Sequence, residues 1–139
     1  MTESCHPQTT ILLIDDEVDV LDGLTTILTA AGYRIYAAAS AEAALRSISE
    51  IEADLIVCDI NLGGQSGLTL CEQLKRTIGT RSVPILFLSG AQIPDVIRRA
   101  HAAGGSYYLR KPFDPQVLLE LVDKALWMPH VTAAHMERV

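Results

Sequence analysis

Two short apolar runs in this chain end in acid. Residues 11–14 (ILLI) lead into Asp15-Asp16-Glu17, and residues 55–58 (LIVC) lead into Asp59. A third run, residues 84–88 (PILFL), ends at Ser89, and Lys111 follows a fourth at residues 106–109, just before Pro112. Gathered in one place, these groups would suit phosphoryl chemistry. Packed carboxylates repel unless a cation joins them, and Mg²⁺ favours one or two carboxylates, a carbonyl, waters and a phosphoryl oxygen. A carboxylate beside such an ion, a hydroxyl and an ammonium can accept a phosphoryl group as an aspartyl phosphate. The transition state requires in-line geometry and neutralised equatorial oxygens. Mg²⁺ and Lys111 would supply the charge, and Ser89 a hydrogen bond to a phosphoryl oxygen. No GxxxxGK[ST] segment occurs, so a bound nucleotide is not indicated.

The elements that must position these residues follow from periodicity. Residues 11–14 and 55–58 run apolar without alternation, as strands buried on both faces do. An unpaired carboxylate is costly inside such a strand, but it can stand at the strand's carboxyl end, where a parallel sheet opens into a crevice. Val20, Leu21, Leu24, Ile27, Leu28 and Ala31 recur at helical spacing, with Gly32 placed as a C′ glycine. Tyr33, Ile35 and Ala37 alternate with Arg34 and Tyr36, which suits a strand nearer the sheet edge. Ser40 is an N-cap for a helix over residues 41–51. Residues 61–67 (NLGGQSG) read as a loop by their glycines, and a helix follows over residues 68–78. The fourth strand spans residues 84–88 and a helix runs from about residue 94 to 103. After a short fifth strand at residues 106–109, Asp114 as N-cap and Pro115 at N1 open a last helix to Trp127. Five alternating strand–helix pairs predict an α/β fold, a flavodoxin-like doubly wound five-stranded parallel sheet of order 2-1-3-4-5 with five helices. In that fold the ends of strands one, three, four and five converge.

Composition narrows the function. The chain has 139 residues, enough for one domain with a sizeable core, and a formal charge of −6. The acidic balance offers no footprint for direct contact with nucleic acid or an anionic membrane, and no apolar run approaches the roughly 20 residues of a membrane span. Residues 1–8 read as a disordered leader, residues 9–128 as the domain, and residues 129–139 as a tail or the start of a linker. Cys5, Cys58 and Cys71 are an odd number without metal spacing, which suits thiols in the cytoplasm. Cys58, inside an apolar strand, reads as a core residue rather than a nucleophile. His6, His101, His130 and His135 lack ligand spacing. An Asp-nucleophile hydrolase would require a second acid two residues beyond Asp59, where Asn61 stands.

Together, ILLIDDE, LIVCDI with Gly67 eight residues beyond the Asp, FLSG and RKPF carry a specific resemblance. The sequence resembles a response-regulator receiver domain of the CheY-like family, from about residue 9 to 127. The resemblance implies that Asp59 is the phospho-acceptor, that Asp15 and Asp16 are the acidic metal pair, and that Asn61 lends its backbone carbonyl to Mg²⁺ beside Asp59. It implies a switch hydroxyl at Ser89, the Lys at Lys111, a switch aromatic at Tyr108, and a cis Lys111–Pro112 bond. Periodicity alone does not choose between Tyr107 and Tyr108. The implied partners are a sensor histidine kinase or His-phosphotransfer protein, and the implied role is a switch rather than an enzyme, with at most self-catalysed phosphotransfer and autodephosphorylation. The alternative is an interaction module that works without phosphorylation. The implied output face joins the fourth helix, fifth strand and fifth helix. It carries Arg98, Arg99, Arg110, Glu120, Asp123 and Lys124, which would suit a homodimer or another partner, or equally an ordinary solvated surface. The family usually has Met-Pro where this chain has Leu62-Gly63, so a looser loop is expected there. The small Ala91 is expected to leave a path for hydrolytic water.

Overall fold

A computed structural model describes residues 9–78, 83–90 and 95–127. The leader, the tail and Ala91 lie outside the described residues, and so does the expected start of the fourth helix. The central sheet contains β1 (Thr10–Ile14), β2 (Arg34–Ala38), β3 (Leu55–Asp59), β6 (Ile85–Ser89) and β7 (Tyr107–Arg110). Its order is β2-β1-β3-β6-β7 with every pairing parallel, which is the predicted 2-1-3-4-5 arrangement. The helices are α1 (Val18–Ala30), α2 (Ala41–Ile48), α3 (Gly67–Ile78), α4 (Val96–Ala102) and α5 (Pro115–Trp127).

The three inner strands are buried at every position, as their unbroken apolar runs require. Successive side chains point to opposite faces, so the sheet divides the core in two. Ile11, Leu13, Leu55, Val57, Leu86 and Leu88 pack with α1 and α5 through Leu24, Leu28, Leu118 and Val122. Leu12, Ile14, Ile56, Cys58, Ile85 and Phe87 pack on the other side with Ala44, Ile48, Cys71, Leu74 and Ala100 of α2, α3 and α4. Tyr107 joins the first layer and Tyr108 the second, which settles their facing.

Local signals set several element ends. Ser40 Oγ accepts the Ala43 amide at 3.1 Å and caps α2. Gly32, at φ +102°, follows the C-cap of α1 in the left-handed region that glycine favours. Helix α2 stops at Ile48 rather than residue 51, because the Glu50 and Ile51 amides both turn back to the Ser47 carbonyl.

The segment read as a loop is instead a small hairpin. β4 (Asn61–Leu62) pairs antiparallel with β5 (Gln65–Ser66) across Gly63 and Gly64. Both glycines have positive φ, +58° and +100°, as a type I′ turn requires. Two-residue strands carry no readable period, which is why only the glycines stood out in the sequence.

Candidate phosphoryl-acceptor site

Four chain segments meet at the carboxyl edge of the sheet. β1 and β3 are adjacent and in register from Ile11–Leu55 to Ile14–Cys58, so Asp15 and Asp59 emerge side by side. β6 ends beside them at Ser89, whose carbonyl accepts the Lys111 amide at 2.8 Å. That bond carries the chain after β7 back toward the crevice. Lys111–Pro112 is a cis peptide.

Lys111 Nζ donates to Asp15 Oδ2 at 2.9 Å and to Asp59 Oδ2 at 3.0 Å. Glu17 Oε1 stands 3.7 Å from the same nitrogen, at the exposed rim. The other oxygen of each buried acid accepts a backbone amide: Asp15 Oδ1 from Glu17 at 2.9 Å, and Asp59 Oδ1 from Asn61 at 3.1 Å. Asp15 is fully buried and Asp59 is 5% exposed. Burial raises the Asp59 pKa above the ordinary carboxylate value, and the nearby Asp15 charge adds to this. The Lys111 and Asn61 hydrogen bonds offset only part of the rise. For Lys111, burial works to lower the pKa, but hydrogen bonds to Asp15 and Asp59 outweigh it and raise the pKa.

The fit to a hard cation follows from the donor set. One oxygen from each of Asp15, Glu17 and Asp59 lies within 4.8 Å of the other two. Ligands of an octahedral ion at ~2.1 Å stand about 3–4 Å apart, so the trio needs only a small contraction. Three carboxylates against one ammonium leave negative charge unbalanced, which a divalent cation would neutralise.

The expected residues are only partly brought together. Asp15, Asp59 and Lys111 meet directly, and Asn61 touches Asp59 through its amide. Ser89 is buried at the end of β6. Tyr108 is half-buried opposite Phe87, on the α4 side of the sheet. Asp16, expected among the metal ligands, does not join the carboxylate trio. It is exposed and lies against Gly63. Both acids lie past the end of β1, where the backbone path toward α1 sets their facing, and that path turns Asp15 onto Lys111 and leaves Asp16 exposed. Glu17 takes its place in the trio. Its position was legible at the strand end, but its orientation was not, because it depends on the backbone path into α1.

Two further residues shape the site from below. Gly67 approaches the chain so closely that an added Cβ would overlap the Asp59 carbonyl oxygen and stand 3.0 Å from Cys58 Sγ. Its amide donates to the Ile60 carbonyl at 2.6 Å, tying the start of α3 to the end of β3. The Cys58 thiol donates to the Asp59 carbonyl at 3.3 Å. A hydrogen bond with Cys71, together with burial, raises the Cys58 pKa well above the ordinary thiol value, which suits a core residue rather than a nucleophile.

The comparisons with known proteins agree with this fold. Residues 11–123 match the family model of the response regulator receiver domain. The transcriptional regulatory protein YvrH of Bacillus subtilis is 36% identical over 106 residues, covering 76% of this chain and 44% of that protein. The phosphate regulon transcriptional regulatory protein PhoB of Pseudomonas aeruginosa is 34% identical over 110 residues, covering 79% and 48%. The chain thus spans about half the length of these relatives. A CheY-like receiver domain protein from Methanospirillum hungatei superposes with a TM-score of 0.81 at 27% identity, covering 88% of this chain and 96% of that one. Vibrio cholerae chemotaxis protein CheY4 gives 0.79 at 26% identity, covering 84% and 97%. With its sheet order, its acidic crevice and the family match all in agreement, the chain belongs to the response regulator receiver domain family.

Proposed function

We propose that this receiver accepts a phosphoryl group on Asp59 from the phosphohistidine of a sensor kinase or His-phosphotransfer protein. The observation that carries the reading is the buried Asp59 carboxylate, held by Lys111 beside Asp15 at the sheet's carboxyl edge. An oxygen of Asp59 attacks phosphorus in line, forming the O–P bond as the N–P bond to the donor imidazole breaks. Lys111 orients the acceptor and then balances charge on the phosphoryl oxygens. Burial on the strand limits the water that competes with the donor. Asp15, Asp16, Asp59 and the Asn61 carbonyl would hold Mg²⁺, with Asp16 first rotating from its place beside Gly63. When bound, Mg²⁺ supplies the positive charge that three clustered acids and a phosphoryl group lack.

Ser89 then turns its hydroxyl to the phosphoryl group, and Tyr108, on the α4 side of β7, follows. A hydrogen bond to a charged group contributes roughly 1.5–3 kcal/mol. Two such bonds, from Ser89 and Lys111, approach the ~5.5 kcal/mol that inverts a 1:99 population. The output surface is the α4–β7–α5 face, where Arg98, Arg99, Arg110, Glu120, Asp123 and Lys124 are all exposed. It would serve a homodimer or a partner. The relatives named as transcriptional regulators support a role upstream of gene control, with any DNA contact made by another domain rather than by this acidic one. The same reading places the protein in the cytoplasm. Among the described residues, no helix is long and apolar enough to cross a membrane.

Acetyl phosphate with Mg²⁺ tests the reading. The expected product is an acid-stable, base-labile adduct on Asp59, absent in Asp59→Asn. Equal labelling of the two chains, or none of either by acetyl phosphate or a phosphohistidine donor, overturns it.

A further inference from the structure

The acid that stays outside the carboxylate trio lies against a residue without a side chain. A Cβ built on Gly63 would stand 2.8 Å from Asp16 Oδ2 and 3.7 Å from its Cγ. The Asp16 carboxylate therefore occupies space that any other residue at position 63 would fill with its own side chain. Gly64, the other residue of the turn, has nothing within 4 Å of a Cβ. The hairpin geometry places Gly63, and only Gly63 of the pair, against Asp16.

We infer that Gly63 is a positioning residue for the cation site: its missing side chain provides a berth that keeps Asp16 out of the Asp15–Glu17–Asp59–Lys111 cluster until metal binds. The inference rests on the Mg²⁺ reading above and adds a cost to it. A side chain has only a few staggered positions, and the berth stabilises one that cannot ligate an ion shared with Asp59. Leaving the berth is part of every binding event, so apparent affinity is reduced by the fraction of chains already competent. Filling the berth removes the parked position from the metal-free protein alone, and binding tightens. The device would set the Mg²⁺ concentration at which the acceptor becomes competent.

Gly63→Asn tests this with little risk to the fold. Asn tolerates positive φ near +60°, and Asn-Gly is a favoured pair for a type I′ turn. Gly63→Ala adds the same Cβ with a smaller side chain and serves as a second variant. Mg²⁺ alone is titrated calorimetrically into the full chain, and the Asp16 carboxyl carbon is followed by NMR. In both variants the Kd is expected to fall about three- to tenfold as the competent fraction rises. The metal-free Asp16 resonance is expected to move toward its Mg²⁺-loaded position. An unchanged or higher Kd in both variants, or an unmoved Asp16 resonance, overturns the inference while leaving the Mg²⁺ reading standing. If the wild-type chain binds no Mg²⁺, that reading falls and takes the berth with it.

Discussion

Gly67 lies so close beneath Asp59 that the space above its Cα is already filled by the Asp59 carbonyl. The end of β3 and the start of α3 therefore meet backbone to backbone, eight residues apart in sequence. Gly67→Ala is expected to destabilise by about 3 kcal/mol, the upper end of overpacking costs, because a main-chain atom cannot move aside as a flexible side chain can. Urea unfolding would show the loss as a lower midpoint at unchanged slope. A midpoint equal to wild type would mean that the two segments separate freely.

Asp59→Asn should make the metal-free protein more stable at neutral pH, although it removes the proposed acceptor. Burial raises the Asp59 pKa, so the folded state binds this proton more tightly than the unfolded state. Stability then falls as pH rises from the ordinary carboxylate value of about 3.9 through the raised one, and the penalty persists above it. The melting temperature of Asp59→Asn should exceed that of wild type at pH 7, and the gap should close as pH drops below the carboxylate range. A lower melting temperature for the variant at pH 7 would contradict this.

Lys111→Met should raise the Asp59 titration midpoint further, since it removes the hydrogen bond that partly offsets burial. Carboxyl-carbon NMR across pH reads it directly. For Lys111 itself the sign runs the other way. Its pKa is raised in the fold, so its contribution is complete below the unfolded value of about 10.4 and is lost as pH climbs through the folded one. An alkaline unfolding step at high pH in wild type, absent in Lys111→Met, is the matching observation.

Mg²⁺ should stabilise the folded chain by mass action, by about 2.7 kcal/mol at a concentration one hundred times Kd. Asp15→Asn should lose most of that gain, because Asp15 and Asp59 are the two buried carboxylates of the trio and the substitution removes the charge of one of them. Thermal melts over a Mg²⁺ series, with Ca²⁺ for comparison, provide the measurement. A melting temperature indifferent to Mg²⁺ in wild type would count against a cation site.

Ser89→Ala should still be labelled at Asp59 but should no longer transmit the event. The serine is buried at the end of β6, and Tyr108 lies on the neighbouring strand. Beryllofluoride should shift the amide resonances of β7 and α4 in wild type and leave them largely in place in Ser89→Ala. Equal shifts in both would move the switch elsewhere.

The inner strands were readable because burial on both faces leaves a compositional trace: ILLI, LIVC and ILFL contain no polar position. Their acidic and hydroxyl ends were readable for the same reason, since a charge after such a run must stand where the sheet opens. The hairpin of β4 and β5 was not, because two residues cannot display a period and the paired glycines read equally well as a loop. Tyr107 and Tyr108 carried the alternation but not its phase, which the pairing with Phe87 and Leu86 supplies.

The amino-acid order by itself determined the alternating elements, the parallel sheet and the inventory of reactive groups at its carboxyl edge, because each of these is local in sequence or follows from which stretches must be buried. Which acids actually face Lys111 was decided only in three dimensions. Glu17 enters and Asp16 turns out because of the backbone path from β1 into α1 and the empty Cβ position at Gly63, contributed from far along the chain. Side-chain orientation at a site built from four separate segments depends on contacts between them, and no single segment contains that information.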